Sequence, residues 1–154
     1  MSGGAGLKAS MLGESAPEFV VMDSAGEEHR LSDQLGTPVF VDFSAMWCST
    51  CQKQAPETEV LFETYGESAV VWTVLFQNAA GDAPGSDDLD AWSAEFGLVH
   101  PVLADDADES AYMAYGSGRQ PLGVVIDAEG FISWMGEGSD VASQGANALA
   151  GLIP

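Results

Sequence analysis

Two apolar runs stand out in the chain, and a segment with helical spacing separates them. Residues 38–43 and 70–77 are nearly continuous in apolar side chains, which is typical of buried strands. The intervening residues 49–65 place apolar side chains on one helical face, and Pro56 is expected to interrupt and kink that helix. The pattern therefore predicts a strand–helix–strand unit at the centre of the protein.

Weaker patterns extend this unit on both sides. They predict a hairpin over 17–31, a helix over 86–96 with Ser86 as N-cap, a strand over 99–104, a helix over 108–115, a hairpin over 122–135 and a weak helix over 141–152 that Gly145 interrupts. This order is that of an α/β domain with a mixed central sheet flanked by helices. We expect one such domain over 13–154, preceded by a flexible leader over 1–12.

The net charge of the chain excludes two classes of binding partner. Its 154 residues include 24 acidic and only 4 basic side chains, which gives a net charge of −20. Binding to nucleic acid or to an anionic membrane surface needs Lys and Arg, so we exclude both. No apolar run is long enough for membrane insertion. The charge favours a monomer with a solvated acidic surface, and a surface that selects basic partners is the alternative.

The first ten residues are rich in glycine and lack the apolar segment of a signal peptide. They fit the flexible leader. We therefore expect either a cytoplasmic protein or an exported protein whose signal has been removed.

Both cysteines of the chain lie in one motif, Trp47-Cys48-Ser49-Thr50-Cys51, between a predicted strand and the following helix. Such a pair is a poor structural staple, because closing so small a ring contributes only about 2 kcal/mol. A zinc site would need two further ligands, and the only histidines, His29 and His100, are not spaced near a partner. Two inert core thiols are a further alternative, but a redox dithiol fits best.

The position of the motif explains this preference. Backbone N–H groups and the positive end of the helix dipole stabilise a thiolate at a helix N-terminus, which favours attack by Cys48. Cys51 lies one turn further on, where it can attack a mixed disulfide and release the product. The motif thus predicts a dithiol that exchanges with disulfides.

Several segments around the motif carry a resemblance to a known family. They are Gly13-Glu14-Ser15-Ala16-Pro17-Glu18-Phe19, then Asp23, Gly26, Leu31 and Gly36, the Trp-Cys-x-x-Cys motif itself, Pro56 five residues after it, an insertion over 78–101, and Gly118-Arg119-Gln120-Pro121 before a strand. Together they resemble the thioredoxin superfamily, specifically the TlpA/ResA-like thiol–disulfide oxidoreductases with a redoxin/AhpC-TSA-like domain. The resemblance implies a thioredoxin-like fold with an N-terminal β-hairpin and an insertion before the third helix.

The resemblance also implies roles for individual residues. Cys48 matches the exposed nucleophile and Cys51 the resolving thiol. Trp47 matches an aromatic residue that covers the site, with a plain core tryptophan as the alternative. Pro121 matches a cis-proline that faces the dithiol, and the backbone of Gln120 would pair there with an extended substrate segment.

Asp42 lies six residues before Cys48 in an otherwise apolar strand and matches the buried carboxylate of thioredoxin. Without a cationic partner its pKa should be raised, which suits proton transfer to and from Cys51. The alternatives are an ordinary hydrogen-bonded acid and a solvated acid at a strand end. Two features depart from the related families: Gln54 replaces a common Glu, and residues 70–77 lack the Lys that often accompanies the buried Asp.

The sequence and the resemblance together predict a thiol–disulfide oxidoreductase that acts on disulfide-containing protein substrates, with an unidentified electron donor or acceptor. No metal, flavin or nucleotide cofactor is implied. The resemblance favours an extracytoplasmic location after removal of a signal. Two alternatives remain open. One is a thiol peroxidase of the peroxiredoxin type, whose motif has Thr where this chain has Ala45, and the other is a non-catalytic thioredoxin-fold binding module.

Overall fold

A computed structural model describes residues 11–116 and 118–154 as a seven-stranded sheet with four α-helices. The strands are β1 (Val20–Met22), β2 (Glu28–Arg30), β3 (Val39–Ala45), β4 (Val70–Gln77), β5 (Val102–Ala104), β6 (Leu122–Ile126) and β7 (Ile132–Glu137). The helices are α1 (Ser49–Tyr65), α2 (Ser86–Phe96), α3 (Ser110–Tyr115) and α4 (Val141–Ala150), and a 3-10 helix spans Leu31–Gln34. Residues 1–10 of the predicted leader lie outside the described residues, whereas Met11 packs against the core.

The sheet is mixed, as predicted, and its strands lie in the order β2-β1-β5-β4-β3-β6-β7. β3, β4 and β5 run parallel to one another, and every other neighbouring pair is antiparallel. The predicted N-terminal hairpin is the β1–β2 pair at one edge. At the centre, Asp42 of β3 is in register with Thr73 of β4. Their side chains therefore lie side by side on one face of the sheet.

Helices α1 and α4 pack on the face that carries Asp42. Phe40, Val71 and Val125 are neighbours on three adjacent strands, and they form one buried cluster with Leu61 of α1 and Leu149 of α4. Side chains alternate along a strand, so Phe40 and the residue two positions later share this face. The helix that begins with the cysteine motif thus covers the buried carboxylate.

Aromatic side chains fill the opposite face. The ring of Phe43 lies 5.9, 6.0 and 5.5 Å, centroid to centroid, from the rings of Phe19, Tyr112 and Tyr115. Phe76 stacks on Tyr112 at 3.9 Å. Because both tyrosines belong to α3, this short helix is anchored through the aromatic cluster.

Three helix predictions differ from the structure. Ser86 is the first residue of α2, and Gly85 is the N-cap, with the extended backbone of a cap (φ −107°, ψ −179°). α1 continues from Ser49 to Tyr65 through Pro56 without a break. α4 also continues through Gly145, where an added Cβ would clash with the Phe40 ring. Glycine at that position allows the close approach of α4 to the sheet.

The predicted strand over 99–104 is shorter in the structure and begins at Val102. The N–H groups of Val99 and His100 donate to Glu59 Oε1 at 3.0 and 3.1 Å, and not to a neighbouring strand. Pro101, which follows, has no N–H to donate. A carboxylate from α1 therefore replaces the strand pairing expected for these residues.

Candidate active site

Cys48 follows β3 and is the N-cap of α1. Its N–H donates to the Ala45 carbonyl at 3.1 Å, and its Sγ accepts a hydrogen bond from the Cys51 N–H at 3.2 Å. Both cysteines are free thiols. The Cys48 sulfur therefore lies at the positive end of the helix dipole. The motif occupies the strand–helix junction that the sequence predicted for it.

The two thiols differ in accessibility. Cys48 is 7% exposed and Cys51 is 0% exposed. The resemblance implied an exposed nucleophile, but Cys48 is largely covered, since the loop that contains Gln120 lies against it. Even so, Cys48 is the member of the pair that an incoming disulfide can reach first.

Trp47 is 45% exposed beside the motif, so the alternative of a core tryptophan is wrong. Its indole N–H donates to Gln77 Oε1 at 2.7 Å, and the Gln77 amide donates in turn to Glu109 Oε2 at 2.7 Å. Two polar side chains thus fix the orientation of the indole ring next to Cys48.

The Gln120–Pro121 peptide bond is cis, as the resemblance implied. The Cys48 thiol donates to the Gln120 carbonyl at 3.8 Å, which places this loop directly against the dithiol. Two hydrogen bonds hold the loop in place. The Tyr112 hydroxyl donates to the Arg119 carbonyl at 2.7 Å, and the Gly138 N–H donates to the Pro121 carbonyl at 3.0 Å.

Asp42 is buried beneath the motif, with 1% of its surface exposed, so the alternative of a solvated acid at a strand end is wrong. The Ser44 hydroxyl donates to its Oδ1 at 2.7 Å, and the Thr73 hydroxyl lies 3.2 Å from its Oδ2. Burial raises the pKa of Asp42 to about 6, although hydrogen bonds from Ser44, Thr73 and Thr58 partly oppose the rise. The raised pKa expected from the sequence is therefore confirmed.

Cys51 is close enough to this carboxylate to feel its charge, and the thiol holds its proton tightly. Burial raises the pKa of the Cys51 thiol, and the negative charge of Asp42 and the hydrogen bond with Cys48 raise it further. Hydrogen bonds from the Ala45 backbone and the Ser44 hydroxyl act in the opposite direction. A thiol in this environment needs a nearby base to become a nucleophile.

Three further polar side chains continue from Asp42, and no sequence pattern had linked them to it. Thr73 Oγ1 lies 2.9 Å from His100 Nε2, and His100 Nδ1 lies 2.6 Å from Glu59 Oε1. The single hydroxyl residue in the apolar run 70–76 is a signal that could have indicated Thr73. No local pattern links Glu59 with His100, which stand 41 residues apart.

Comparison with known proteins then decides the family. Residues 12–135 match the AhpC/TSA family. The chain belongs to this family. It is 33% identical over 122 residues to the thiol-disulfide oxidoreductase ResA of Geobacillus thermodenitrificans, a match that covers 79% of this chain and 67% of that protein. It is 27% identical over 126 residues to the ResA of Bacillus subtilis, with 82% and 67% covered.

Solved structures agree with this assignment. The exposed lipoprotein thioredoxin of Streptococcus pneumoniae is 30% identical, with a TM-score of 0.65 over 85% of this chain and 98% of that one. A thiol:disulfide interchange protein of the thioredoxin family from Chlorobium tepidum has a TM-score of 0.73 at 19% identity, covering 91% and 96% of the two chains. The fold is thioredoxin-like, and this AhpC/TSA family member is a thiol–disulfide oxidoreductase.

One departure from the TlpA/ResA-like pattern has a structural explanation in this family member. The amide of Gln54 donates to the Ser139 carbonyl, and its Oε1 accepts from the Ala142 N–H at 3.0 Å. Gln54 therefore joins α1 to the start of α4. A glutamate there could accept the second hydrogen bond, but an ionised carboxylate could not donate the first.

The two histidines each pair with one carboxylate. His29 Nε2 lies 2.8 Å from Asp23 Oδ2, and His100 pairs with Glu59. Within residues 11–116 and 118–154, no three His, Cys, Asp or Glu side chains are grouped so that they could hold a metal ion. None of the helices in these same ranges is both long enough and apolar enough to cross a membrane.

Proposed function

We propose that the protein exchanges its Cys48–Cys51 dithiol with disulfides in protein substrates. The Cys48 thiolate attacks one sulfur of the substrate disulfide, and a mixed disulfide forms as the first substrate thiolate leaves. Cys51 then attacks the Cys48 sulfur, which forms the Cys48–Cys51 disulfide and releases the second substrate thiolate. The substrate gains two electrons and the dithiol loses two. An external dithiol or disulfide partner resets the pair, and the same steps run in reverse for substrate oxidation.

The observation that carries this proposal is the placement of Cys48. Its sulfur lies at the start of α1, receives the Cys51 N–H at 3.2 Å and faces the Gln120 carbonyl at 3.8 Å. In this proposal the Gln120 backbone, next to the cis-Pro121, pairs with an extended substrate segment. The half-exposed ring of Trp47, the residue before Cys48, offers an apolar contact to a substrate.

In the second step Cys51 must lose a proton in a buried site. Asp42 is the base in this proposal, because its carboxylate lies close enough to Cys51 to raise the pKa of the thiol. The proton moves from the Cys51 sulfur to the Asp42 carboxylate as Cys51 attacks. In the reverse direction Asp42 returns the proton to the departing Cys51 thiolate.

An extracytoplasmic location is part of the proposal. Its support is the likeness, at 30% identity, to a protein described as an exposed lipoprotein thioredoxin. Measured sensitivity of the protein to protease added to intact cells would test the location independently of the chemistry.

A matched pair of variants tests the division of labour between the thiols. We expect Cys48→Ser to abolish reduction of a disulfide substrate, because the accessible nucleophile is gone. We expect Cys51→Ser to trap a mixed disulfide at Cys48, which mass spectrometry detects as an added mass that a dithiol reagent removes. Equal trapping by both variants would contradict the assignment.

Two further measurements separate this function from its alternatives. A thiol peroxidase would consume hydrogen peroxide at a rate comparable to its disulfide exchange, whereas we expect slow consumption here. A non-catalytic binding module would have a very low reduction potential for the Cys48–Cys51 pair and no turnover with a dithiol. Titration of the pair in thiol–disulfide buffers of graded ratio measures that potential directly.

A further inference from the structure

The hydrogen bonds of Asp42 continue away from the dithiol through three more side chains. From Asp42 Oδ2 to Thr73 Oγ1 is 3.2 Å, from Thr73 Oγ1 to His100 Nε2 is 2.9 Å, and from His100 Nδ1 to Glu59 Oε1 is 2.6 Å. The residues come from three strands or strand ends and from α1. They form an unbroken polar chain between the sheet and the helix that carries the dithiol.

This chain leads from the interior towards the surface. Thr73 is 0% exposed, His100 2% and Glu59 8%. Replacing a buried ionisable pair by apolar residues of similar volume is often neutral or stabilising, so stability alone is a weak reason to keep His100 and Glu59 inside. A chemical role is the better explanation.

We propose that Thr73 and His100, held in place by Glu59, form the route by which Asp42 exchanges its proton with the outside of the protein. The inference rests on the proposed function, in which Asp42 receives a proton each time Cys51 attacks. Passing the proton on to His100 as Cys51 attacks leaves the Asp42 carboxylate ionised, whereas without the route the proton stays on Asp42 until Cys51 departs again in the reverse step. Thr73, His100 and Glu59 are positioning residues here, because none of them touches the reacting sulfurs.

Both end states of the transfer are fully hydrogen-bonded. Before transfer, Asp42 carries the proton and donates to Thr73, Thr73 donates to the unprotonated Nε2 of His100, and Nδ1–H donates to the Glu59 carboxylate. After transfer, the His100 imidazolium donates from Nε2 to Thr73 and from Nδ1 to Glu59, and Thr73 donates to the Asp42 carboxylate. One proton leaves Asp42, one reaches His100, and the hydroxyl of Thr73 gives one and receives one.

Burial makes the state with the proton on Asp42 and the state with the proton on His100 more nearly equal in free energy. Burial raises the pKa of Asp42, and burial also lowers the pKa of His100 from its ordinary 6.5 in spite of Glu59. Burial alone would raise the pKa of Glu59, but hydrogen bonds from His100 and Val99 bring it below its ordinary value. Glu59 therefore stays ionised and can stabilise the imidazolium.

Other titratable groups near His100 lie across a cavity that His100 itself lines. Asp23 and His29 contribute to it from the N-terminal hairpin, and Asp90 contributes from α2. On the α1 side the imidazole faces Glu59 and the ring of Phe62, whose centroid lies 6.1 Å away. The two aspartates add negative potential across the cavity from the imidazole, which favours the imidazolium during transfer.

A chromogenic disulfide separates the two thiol steps. Reduced protein mixed with 5,5′-dithiobis(2-nitrobenzoate) releases one coloured thiolate when Cys48 attacks and a second when Cys51 resolves the mixed disulfide. We expect Thr73→Val to slow the second release about tenfold, a part of what a general base usually contributes, and to leave the first release unchanged. We expect Thr73→Ser to restore most of the rate, because it keeps the hydroxyl and loses only a methyl group. His100→Gln should slow the second release in the same way, with His29→Gln as the matched control at wild-type rate.

These outcomes decide the proposal in both directions. A second release at the wild-type rate in Thr73→Val between pH 5 and pH 8 would overturn it, and so would equal rates in Thr73→Val and Thr73→Ser. If the wild-type protein itself failed to release the second thiolate, the proposed function would fail instead. The two failures are therefore distinguishable.

A spectroscopic readout does not depend on activity. In a His29→Gln background His100 is the remaining histidine, and its ¹⁵N shifts report the protonation of each ring nitrogen. At pH 8 we expect Nδ1 protonated and Nε2 unprotonated, and we expect the Nε2 shift to change in Asp42→Asn and in Thr73→Val. A protonated Nε2 in neutral His100, or a shift indifferent to both variants, would refute the chain of hydrogen bonds.

Discussion

Two aspartates are buried in the molecule, and they differ in the kind of group that donates hydrogen bonds to them. Asp42 lies under the dithiol and is 1% exposed, whereas Asp105 lies between β5 and α3 and is 4% exposed. Burial raises the pKa of both carboxyls. Asp105 accepts hydrogen bonds from the backbone N–H groups of Asp106, Ala111 and Tyr112 at 2.8, 3.0 and 2.9 Å. It thereby holds the first turn of α3.

Asp42 receives its hydrogen bonds from hydroxyl groups. A hydroxyl can donate or accept, so the partners Ser44 and Thr73 can satisfy the carboxyl group in its ionised and in its neutral form. A backbone N–H can only donate, so the site of Asp105 is satisfied only by the ionised form. Burial and a raised pKa are common to both acids, so they do not distinguish them. The kind of hydrogen-bond donor does: hydroxyl donors suit an acid that gains and loses a proton, and backbone N–H donors suit an acid that holds the start of a helix.

The largest effect that this comparison predicts is on the rate of exchange. Asp42→Asn should slow the resolving step by about a hundredfold, because Cys51 loses its proton acceptor in a site that keeps its thiol protonated. Single-turnover release of the second coloured thiolate measures that step. Asp105→Asn is the matched control and should leave the rate unchanged, so equal slowing in the two variants would remove the distinction.

The pH dependence of stability is the next test. The folded state holds the Asp42 proton more tightly than the unfolded chain, so its contribution is fully present below the ordinary value of 3.8 and is lost as pH rises through about 6. A rise from 3.8 to about 6 corresponds to about 3 kcal/mol. Urea unfolding should therefore show the wild-type protein losing about that much between pH 3 and pH 8 relative to Asp42→Asn.

The sign of this result separates function from structure. We expect Asp42→Asn to be more stable than the wild type at pH 8 and slower in exchange. An Asp42→Asn protein that is less stable at pH 8 and exchanges at the wild-type rate would make Asp42 a structural acid, and that part of the mechanism would be wrong.

Asp105→Asn should have the opposite effect on stability. The amide replaces one acceptor oxygen by a donor that faces backbone N–H groups, so at least one charge-assisted hydrogen bond to α3 is lost. We expect the free energy of unfolding at pH 7 to fall by about 2 kcal/mol, with unchanged exchange. Urea titration followed by far-ultraviolet circular dichroism measures the loss. A gain in stability like that of Asp42→Asn would show that backbone donors do not distinguish the two acids.

The features that could be predicted from the sequence are those set by residues close together in the chain. Apolar runs and a helical pattern are local, and they place β3, α1 and β4 within two residues of their bounds in the structure. The cysteine motif lies within one such unit, so its position at the start of α1 was also predictable. Asp42 was predictable because a charged residue in an apolar strand is a local anomaly.

What the sequence did not reveal depends on contacts between distant segments. His100 and Glu59 meet because α1 packs across β4 and the start of β5, and no spacing in the chain encodes that crossing. The same contact shortens β5, since Glu59 takes the N–H groups that a strand would have used. Likewise Gly145, which looks like a helix breaker locally, is required where α4 approaches Phe40.

The smallest expected effect is that of salt on Tm, and it distinguishes the surface carboxylates from the two buried ones. With 24 acidic and 4 basic side chains, the folded chain concentrates like charge, and dissolved ions screen repulsion only between groups that face water. Two exposed arginines have acidic partners, Arg30 with Glu28 at 3.6 Å and Arg119 with Glu137 at 3.5 Å, so most surface carboxylates lack a basic neighbour. Raising NaCl from 20 to 200 mM should therefore increase Tm by about 3 °C, as for a gain of about 1 kcal/mol.

Scanning calorimetry on the wild type, Asp42→Asn and Asp105→Asn should give the same increase in all three, because neither buried carboxylate is reached by the ions. A flat curve would mean that the surface acids are balanced locally, and a smaller increase in Asp42→Asn alone would mean that the Asp42 charge is felt at the surface, against its burial beneath the dithiol.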